Sequence, residues 1–261
     1  MARCLRTEDE GCRRCDGALD FDFTMAFQPI VDVASGAPFA YEALVRGIDG
    51  ESAGEILSWV TPGTLYRFDQ ACRVRAIEIA HGLSCGQLLS INFLPNAVYE
   101  PDACIQATLD VAQTLGFPLD RIMFEVTETE YVRDRGHLRN IVEAYNAMGF
   151  STAIDDFGGG YANLDLLVDL HPDVVKIDRQ LIRDVSESPR RQAILESLVP
   201  LADRLDIRLV AEGVETLGEA RWLYSRGIVL QQGYFHARPA VEVLPGLSAT
   251  RLAAVRDQAR T

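Results

Sequence analysis

The feature that most constrains this chain is an alternation. Between residues 25 and 232, eight short apolar runs rich in β-formers are spaced by longer stretches with helical periodicity. The candidate strands are Met25 to Val31, Phe39 to Val45, Leu88 to Phe93, Ile122 to Thr127, Thr152 to Phe157, Val174 to Ile177, Leu209 to Val214 and Ile228 to Gln232. The first two are separated by little more than Ala34-Ser35-Gly36-Ala37, so they should pair as an antiparallel hairpin. Helical patterns cover Leu65 to His81, Ala103 to Leu115, His137 to Met148, Gln192 to Leu205 and Leu217 to Arg226. A shorter helix is expected over Tyr161 to Leu170, and a tail helix beyond Pro245. A repeat of this kind over roughly 230 residues has the size of a (β/α)8 barrel. The expected fold class is therefore α/β, a TIM-like (β/α)8 barrel with an antiparallel first strand. The barrel domain is expected over residues 21–261, behind a Cys-containing lead-in at residues 1–20. The rival, an open doubly wound sheet, lacks a Gly-rich dinucleotide turn after its first strand.

Composition narrows the function. The 261 residues are 48% hydrophobic and 24% charged, enough for a sizeable core and unlike a disordered or collagen-like chain. No uninterrupted apolar run reaches membrane-spanning length, and the N-terminus has no apolar signal region, so the expectation is a cytoplasmic chain with no membrane partner. A net charge of −13 argues against a surface that tracks a nucleic-acid polymer. A small anion could bind if metal ions inverted the local field. Six cysteines are too sparse for a disulfide scaffold. Cys4, Cys12 and Cys15 include a C-x2-C pair without a fourth nearby ligand, which leaves incidental thiols, metal binding and redox sensing open. Of the 25 Lys and Arg residues only Lys176 is lysine, and it sits inside an apolar run. A compact ammonium with a shiftable pKa is what arginine does not supply.

The strand ends carry Glu42, Asn92, Glu125, Asp155 with Asp156, Lys176 with Asp178, Glu212 with Glu215, and Gln232. In a barrel these ends converge on one mouth. Any single acid there also suits a helix N-terminus, but that explanation weakens when seven strand ends bear such groups. Carboxylates desolvated together stay ionised only beside a neutralising cation. Hard oxygen ligands suit Mg2+ or Mn2+, and adjacent aspartates can bridge two ions. The residues alone point to a one- or two-metal phosphoester site. Asp156-Phe157-Gly158 spells a kinase motif, yet no Gly-rich loop or catalytic-loop motif accompanies it.

Seen in order, Phe27-Gln28-Pro29-Ile30-Val31, Tyr41-Glu42-Ala43-Leu44-Val45-Arg46, Ser90-Ile91-Asn92, Glu125-Val126-Thr127-Glu128, Asp155-Asp156-Phe157-Gly158, Val175-Lys176-Ile177-Asp178, Ala211-Glu212-Gly213-Val214-Glu215-Thr216 and Gln232-Gly233-Tyr234 resemble the EAL-domain cyclic di-GMP phosphodiesterase family over about residues 23 to 243. The resemblance implies metal-dependent opening of cyclic di-GMP to linear pGpG. It implies that Glu42, Asn92, Glu125 and Asp155 ligate one divalent ion, with Asp155 and Asp156 holding a second. Glu212 would lie against the water or the second ion, and Lys176 would contact the attacking water. Arg46 and the backbone near Leu44 would face a substrate phosphate, Gln28 and Gln232 would be substrate-side amides, and Glu128 would anchor the loop after Asp156. His236 could stack on a guanine.

The loop departs from the family's common D-D-F-G-T-G-Y-S, with Gly159 in place of Thr and Ala162 in place of Ser. The alternative to an enzyme is therefore a catalytically weak or inactive domain acting as a cyclic di-GMP receptor or protein-interaction module. The resemblance also implies a homodimer through the helices after the fifth and sixth strands, and a separate regulatory protein could deliver the signal.

Overall fold

The computed structural model describes residues 19–95, 98, 101–127, 135–159 and 164–257. Among the described residues nine strands form one sheet: β1 (Phe23–Asp32), β2 (Ala37–Gly47), β3 (Leu88–Phe93), β4 (Ile122–Thr127), β5 (Ser151–Phe157), β6 (Val174–Ile177), β7 (Arg208–Ala211), β8 (Leu230–Gln231) and β9 (Ala240–Val241). The helices are α1 (Ala53–Trp59), α2 (Leu65–Gly82), α3 (Pro101–Cys104), α4 (Gln106–Leu115), α5 (Arg135–Ala147), α6 (Asp165–Leu170), α7 (Arg179–Ile182), α8 (Pro189–Leu205), α9 (Leu217–Ser225) and α10 (Ala249–Arg256).

Strands β2 to β8 pair in sequence order and in parallel. Strand β1 runs antiparallel to both β2 and β8 and so closes the barrel. That closure excludes the open sheet. Along the edge facing β8, β1 pairs first with Leu230–Gln231 and then with β9, so residues 232–239 loop out between two short contacts on one strand.

The interior follows the period of two that β-strands impose on side chains. Ile30, Ala40, Met123, Ala153, Val174, Val210 and Leu230 form a small apolar cluster of their own, separate from the larger core between sheet and helices. Two residues from each, on the same face, lie Gln28, Glu42, Glu125, Asp155, Lys176, Glu212 and Gln232. The barrel thus has an apolar floor one rung below a polar tier.

Element bodies match the sequence reading and their ends do not. The seventh strand stops at Ala211 instead of Val214, because Gly213 adopts a left-handed φ of +65°. The run Ala103 to Leu115 is divided into α3 and α4. Helices α1 and α7 and strand β9 lie outside the patterns read from the sequence, although at α1 Ser52 and Glu55 form a capping box in which each side chain reaches the other's backbone N–H.

Behind β3, Asp69 on α2 pairs with the fully buried Arg73 and accepts the Leu94 N–H at 2.9 Å, while Arg73 donates to the Tyr145 hydroxyl at 3.3 Å. This pair ties the exit of β3, two residues past Asn92, to helix α2. Asp69→Ala leaves a buried guanidinium unpaired, and the expected loss is about 3–5 kcal/mol in urea unfolding. A loss under about 1 kcal/mol would show that the pair does not hold this wall together.

Candidate active site

Lys176, fully buried on β6, is the centre of the polar tier. Its Nζ lies 2.7 Å from Glu125 Oε2, 2.8 Å from Glu212 Oε1, 3.1 Å from Asp155 Oδ1 and 3.4 Å from Glu42 Oε2. Burial alone would lower the ammonium's pKa, but the surrounding carboxylates of Asp155, Glu125, Glu212 and Glu42 outweigh it and hold the group well above the ordinary lysine value. The acids feel the opposite pull. Burial raises the Glu125 and Glu212 carboxyls above the usual carboxylate range, against the attraction of Lys176.

Amides and a hydroxyl orient the acids. Asn92 Nδ2 donates to Glu42 Oε1 at 2.9 Å and Gln232 Nε2 to Glu42 Oε2 at 2.6 Å, with Gln28 Oε1 3.3 Å from the same Gln232 nitrogen. Gln28 in turn donates to Ala237 O at 3.1 Å, and Ser90 donates to Glu125.

Neighbouring residues of a regular strand face opposite sides, so Asp155 and Asp156 would normally diverge. Here the register with β6 slips between Ile154 and Phe157, and Asp156 takes a left-handed φ of +55°. An aspartate tolerates that conformation better than most side chains do. The twist brings ligand oxygens of Asp155, Asp156 and Glu212 within 4.8 Å of one another, the only such three-residue group among the described residues. Among the described residues Asp155 Oδ1 is buried without a hydrogen-bond partner, since its 3.1 Å approach to the ammonium is off hydrogen-bond geometry. A buried orphan oxygen within a set of hard donors suits a divalent cation such as Mg2+ or Mn2+. Among these acids, Glu42 and Glu125 face Lys176, while Asp156 stands outside its ion pairs.

A cavity of about 230 Å3 opens over this tier, lined by Gln28, Glu42, Leu44, Asp156, Glu212 and Gln232 among others. The structure thus gathers Gln28, Glu42, Leu44, Asn92, Glu125, Asp155, Asp156, Lys176, Glu212 and Gln232. Arg46 shares a strand face with Glu42 and Leu44, and its guanidinium donates to its neighbour's carbonyl, Val45 O, at 2.6 Å. Glu128, Ala162 and the cysteines of the lead-in lie outside the described residues. His236 does not face the cavity as a stacking ring. It is buried with Nε2 3.0 Å from Gln231 Oε1, and burial pushes its pKa down to about 4, with Arg251 adding to the effect. Arg179 and Tyr234, to which the sequence assigns no role, also line the cavity, as do Asp178 and Glu215, which stand among the strand-end residues without an assigned role. A larger cavity of about 720 Å3 lies between α2 and residues 19–23, beside the start of β1 and the exit of β2, and among the described residues it holds no three-acid group like that of Asp155, Asp156 and Glu212.

Residues 17–239 match the EAL domain family. The chain belongs to that family. Among relatives, it is 34% identical to the blue light- and temperature-regulated antirepressor BluF of Escherichia coli, over 85% of this chain and 56% of that one. It is 39% identical to the cyclic di-GMP phosphodiesterase RocR of Pseudomonas aeruginosa, over 48% of this chain and 32% of that one. The chain thus spans about half the length, or less, of these curated relatives. Among solved structures, a standalone versatile EAL protein from Vibrio cholerae O395 in its c-di-GMP bound form has a TM-score of 0.87 and 49% identity, covering 90% of this chain and 99% of that one. The manganese and cyclic di-GMP complex of Klebsiella pneumoniae BlrP1 has a TM-score of 0.80 and 37% identity, over 87% and 58% of the two chains. Among the described residues, no helix is long and apolar enough to cross a membrane.

Asp156 gives a pH signature. Its carboxyl is pushed up to about 6, first by burial and then by Asp155 and Asp178. Because the folded-state value is raised, the metal-free protein loses stability from this group as pH rises through the ordinary carboxylate value towards 6, and a cation bound there competes with a proton below about 6. Added Mn2+ should raise the melting temperature clearly at about pH 7.5 and much less at about pH 5. Equal shifts at both would contradict a site built on Asp156.

Proposed function

We propose that this chain is a metal-dependent phosphodiesterase that hydrolyses cyclic di-GMP to linear pGpG. The observation that carries the proposal is the buried Lys176 ammonium within 3.4 Å of four carboxylates, beside the Asp155, Asp156 and Glu212 oxygens that converge in an arrangement suited to a cation. Glu42, Asn92, Glu125 and Asp155 would hold one ion, and Asp155 with Asp156 a second. Divalent ions so bound supply charge stabilisation to the phosphate and lower the pKa of water.

The chain's own residues then divide the remaining work. Water adds to one phosphorus and the P–O3′ bond breaks, leaving a 5′-phosphate and a 3′-hydroxyl. Lys176, kept charged by its four partners, holds a fixed positive charge beside the attacking oxygen, and Glu212, 2.8 Å from the ammonium, orients it. Gln28 and Gln232 present amides to the nucleotide, and Arg46 and the Leu44 backbone face a phosphate.

A second reading, a cyclic di-GMP receptor or interaction module, is favoured by one observation. A Cβ at Gly159 would lie 2.7 Å from Asp178 Cγ, so the Thr common in the family could not enter here unless Asp178 moved. The homodimer is proposed through α6 and α8, where Leu164 before α6, Val168 on it and Ile194 on α8 are all at least half exposed. We place the chain in the cytoplasm, with regulation by assembly or by a separate protein, and with residues 21–261 as one domain.

Chromatography of nucleotide products tests the reading. Wild-type protein with Mg2+ or Mn2+ should release pGpG, and chelator should stop it. Glu42→Ala and Asp155→Ala should lose at least ~100-fold in turnover through loss of metal. Lys176→Ala should slow chemistry with metal retained, and Lys176→Arg should not rescue it, because a planar fork does not replace a compact ammonium in a fully buried slot. Undiminished turnover in the metal-ligand variants would overturn the assignment, and saturable nucleotide binding without turnover would favour the receptor.

A further inference from the structure

The 230 Å3 cavity over the acids is smaller than the ~300–1,000 Å3 typical of small-molecule sites, so a cyclic dinucleotide bound there extends over the rim. Tyr234 stands on that rim, 48% exposed. An exposed aromatic by itself is ordinary, but this one is held rigidly. The Gly233 carbonyl accepts the N–H groups of His236 at 3.0 Å and Ala237 at 3.1 Å, and the Phe235 N–H donates to Val214 O at 3.0 Å. Phe235 O accepts from Arg251 Nη1 at 2.7 Å. A Cβ at Gly233 would lie 2.1 Å from Val214 O, so the backbone approaches more closely there than any side chain allows. The Arg238 guanidinium lies 4.1 Å from the ring centroid, a cation–π contact that favours this ring position. Gln28 and Gln232 line the same cavity.

We propose that Tyr234, pinned by Arg238, is a stacking platform for one nucleobase of the cyclic dinucleotide, setting substrate affinity without entering the bond-breaking step. The proposal rests on the function proposed above and adds a base-binding residue to it. A flat ring already ordered before the ligand arrives loses little freedom on binding, and every base offers a π-face to it.

Steady-state kinetics with cyclic di-GMP test it. Tyr234→Ala should raise KM ~10-fold or more with kcat within ~2-fold, while Tyr234→Phe and Tyr234→Trp stay near wild type. Arg238→Ala should raise KM ~3-fold by loosening the ring. An unchanged KM in Tyr234→Ala, or no rescue by Phe or Trp, would overturn the platform. If wild-type protein binds cyclic di-GMP without turnover, calorimetry on the same variants replaces KM: ~10-fold weaker binding in Tyr234→Ala supports the platform and unchanged binding overturns it. If wild-type protein neither binds nor cleaves the nucleotide, the parent reading fails and the platform fails with it.

Discussion

One lysine holds the mouth of this barrel together. Placing Glu42, Glu125, Asp155 and Glu212 around one dry point would be prohibitive without a cation, since the repulsion of like charges grows as the dielectric falls. Lys176 supplies that cation from β6, with its Nζ at the convergence of strands β2, β4, β5 and the end of β7. One positive charge does not balance all the carboxylates present, and Asp156 lies outside its ion pairs. The acids are therefore assembled in advance, with charge left over for divalent ions.

Two backbone devices complete the arrangement. The period of two sets the apolar floor below the polar tier, so that hydrophobic packing and ligand placement come from the same alternation along each strand. The slip in β5, with Asp156 in the left-handed region, breaks that alternation at one place and turns two consecutive aspartates to one side. Such a conformation is costly for a side chain and persists where the surroundings hold it.

Much of this is legible in the residues, and the limits have physical causes. Strand bodies are readable because β-branched runs alternate with helical periods. Strand ends are not, because Gly213's positive φ, which removes Glu212 to Val214 from β7, is a matter of tertiary context. Helix α1 did carry a local signal, in Ser52 and Glu55. The strand-end acids, the lone lysine and the motif order point to the right chemistry, yet nothing in one dimension says that Lys176 occupies the centre of the acids. The aromatic ring at the mouth was also displaced by two positions, since the turn at Gly233 buries His236 and leaves Tyr234 outside.

The central claim is that these acids, organised by Lys176, are a divalent-cation site for phosphodiester cleavage. Anomalous diffraction from crystals grown with Mn2+ and cyclic di-GMP tests it most directly. The account predicts manganese between Asp155 and Asp156, within reach of Glu42, Asn92 and Glu125, and a nucleotide phosphate against the metal. Nucleotide bound with no manganese at these carboxylates, or manganese bound elsewhere on the barrel, would contradict it.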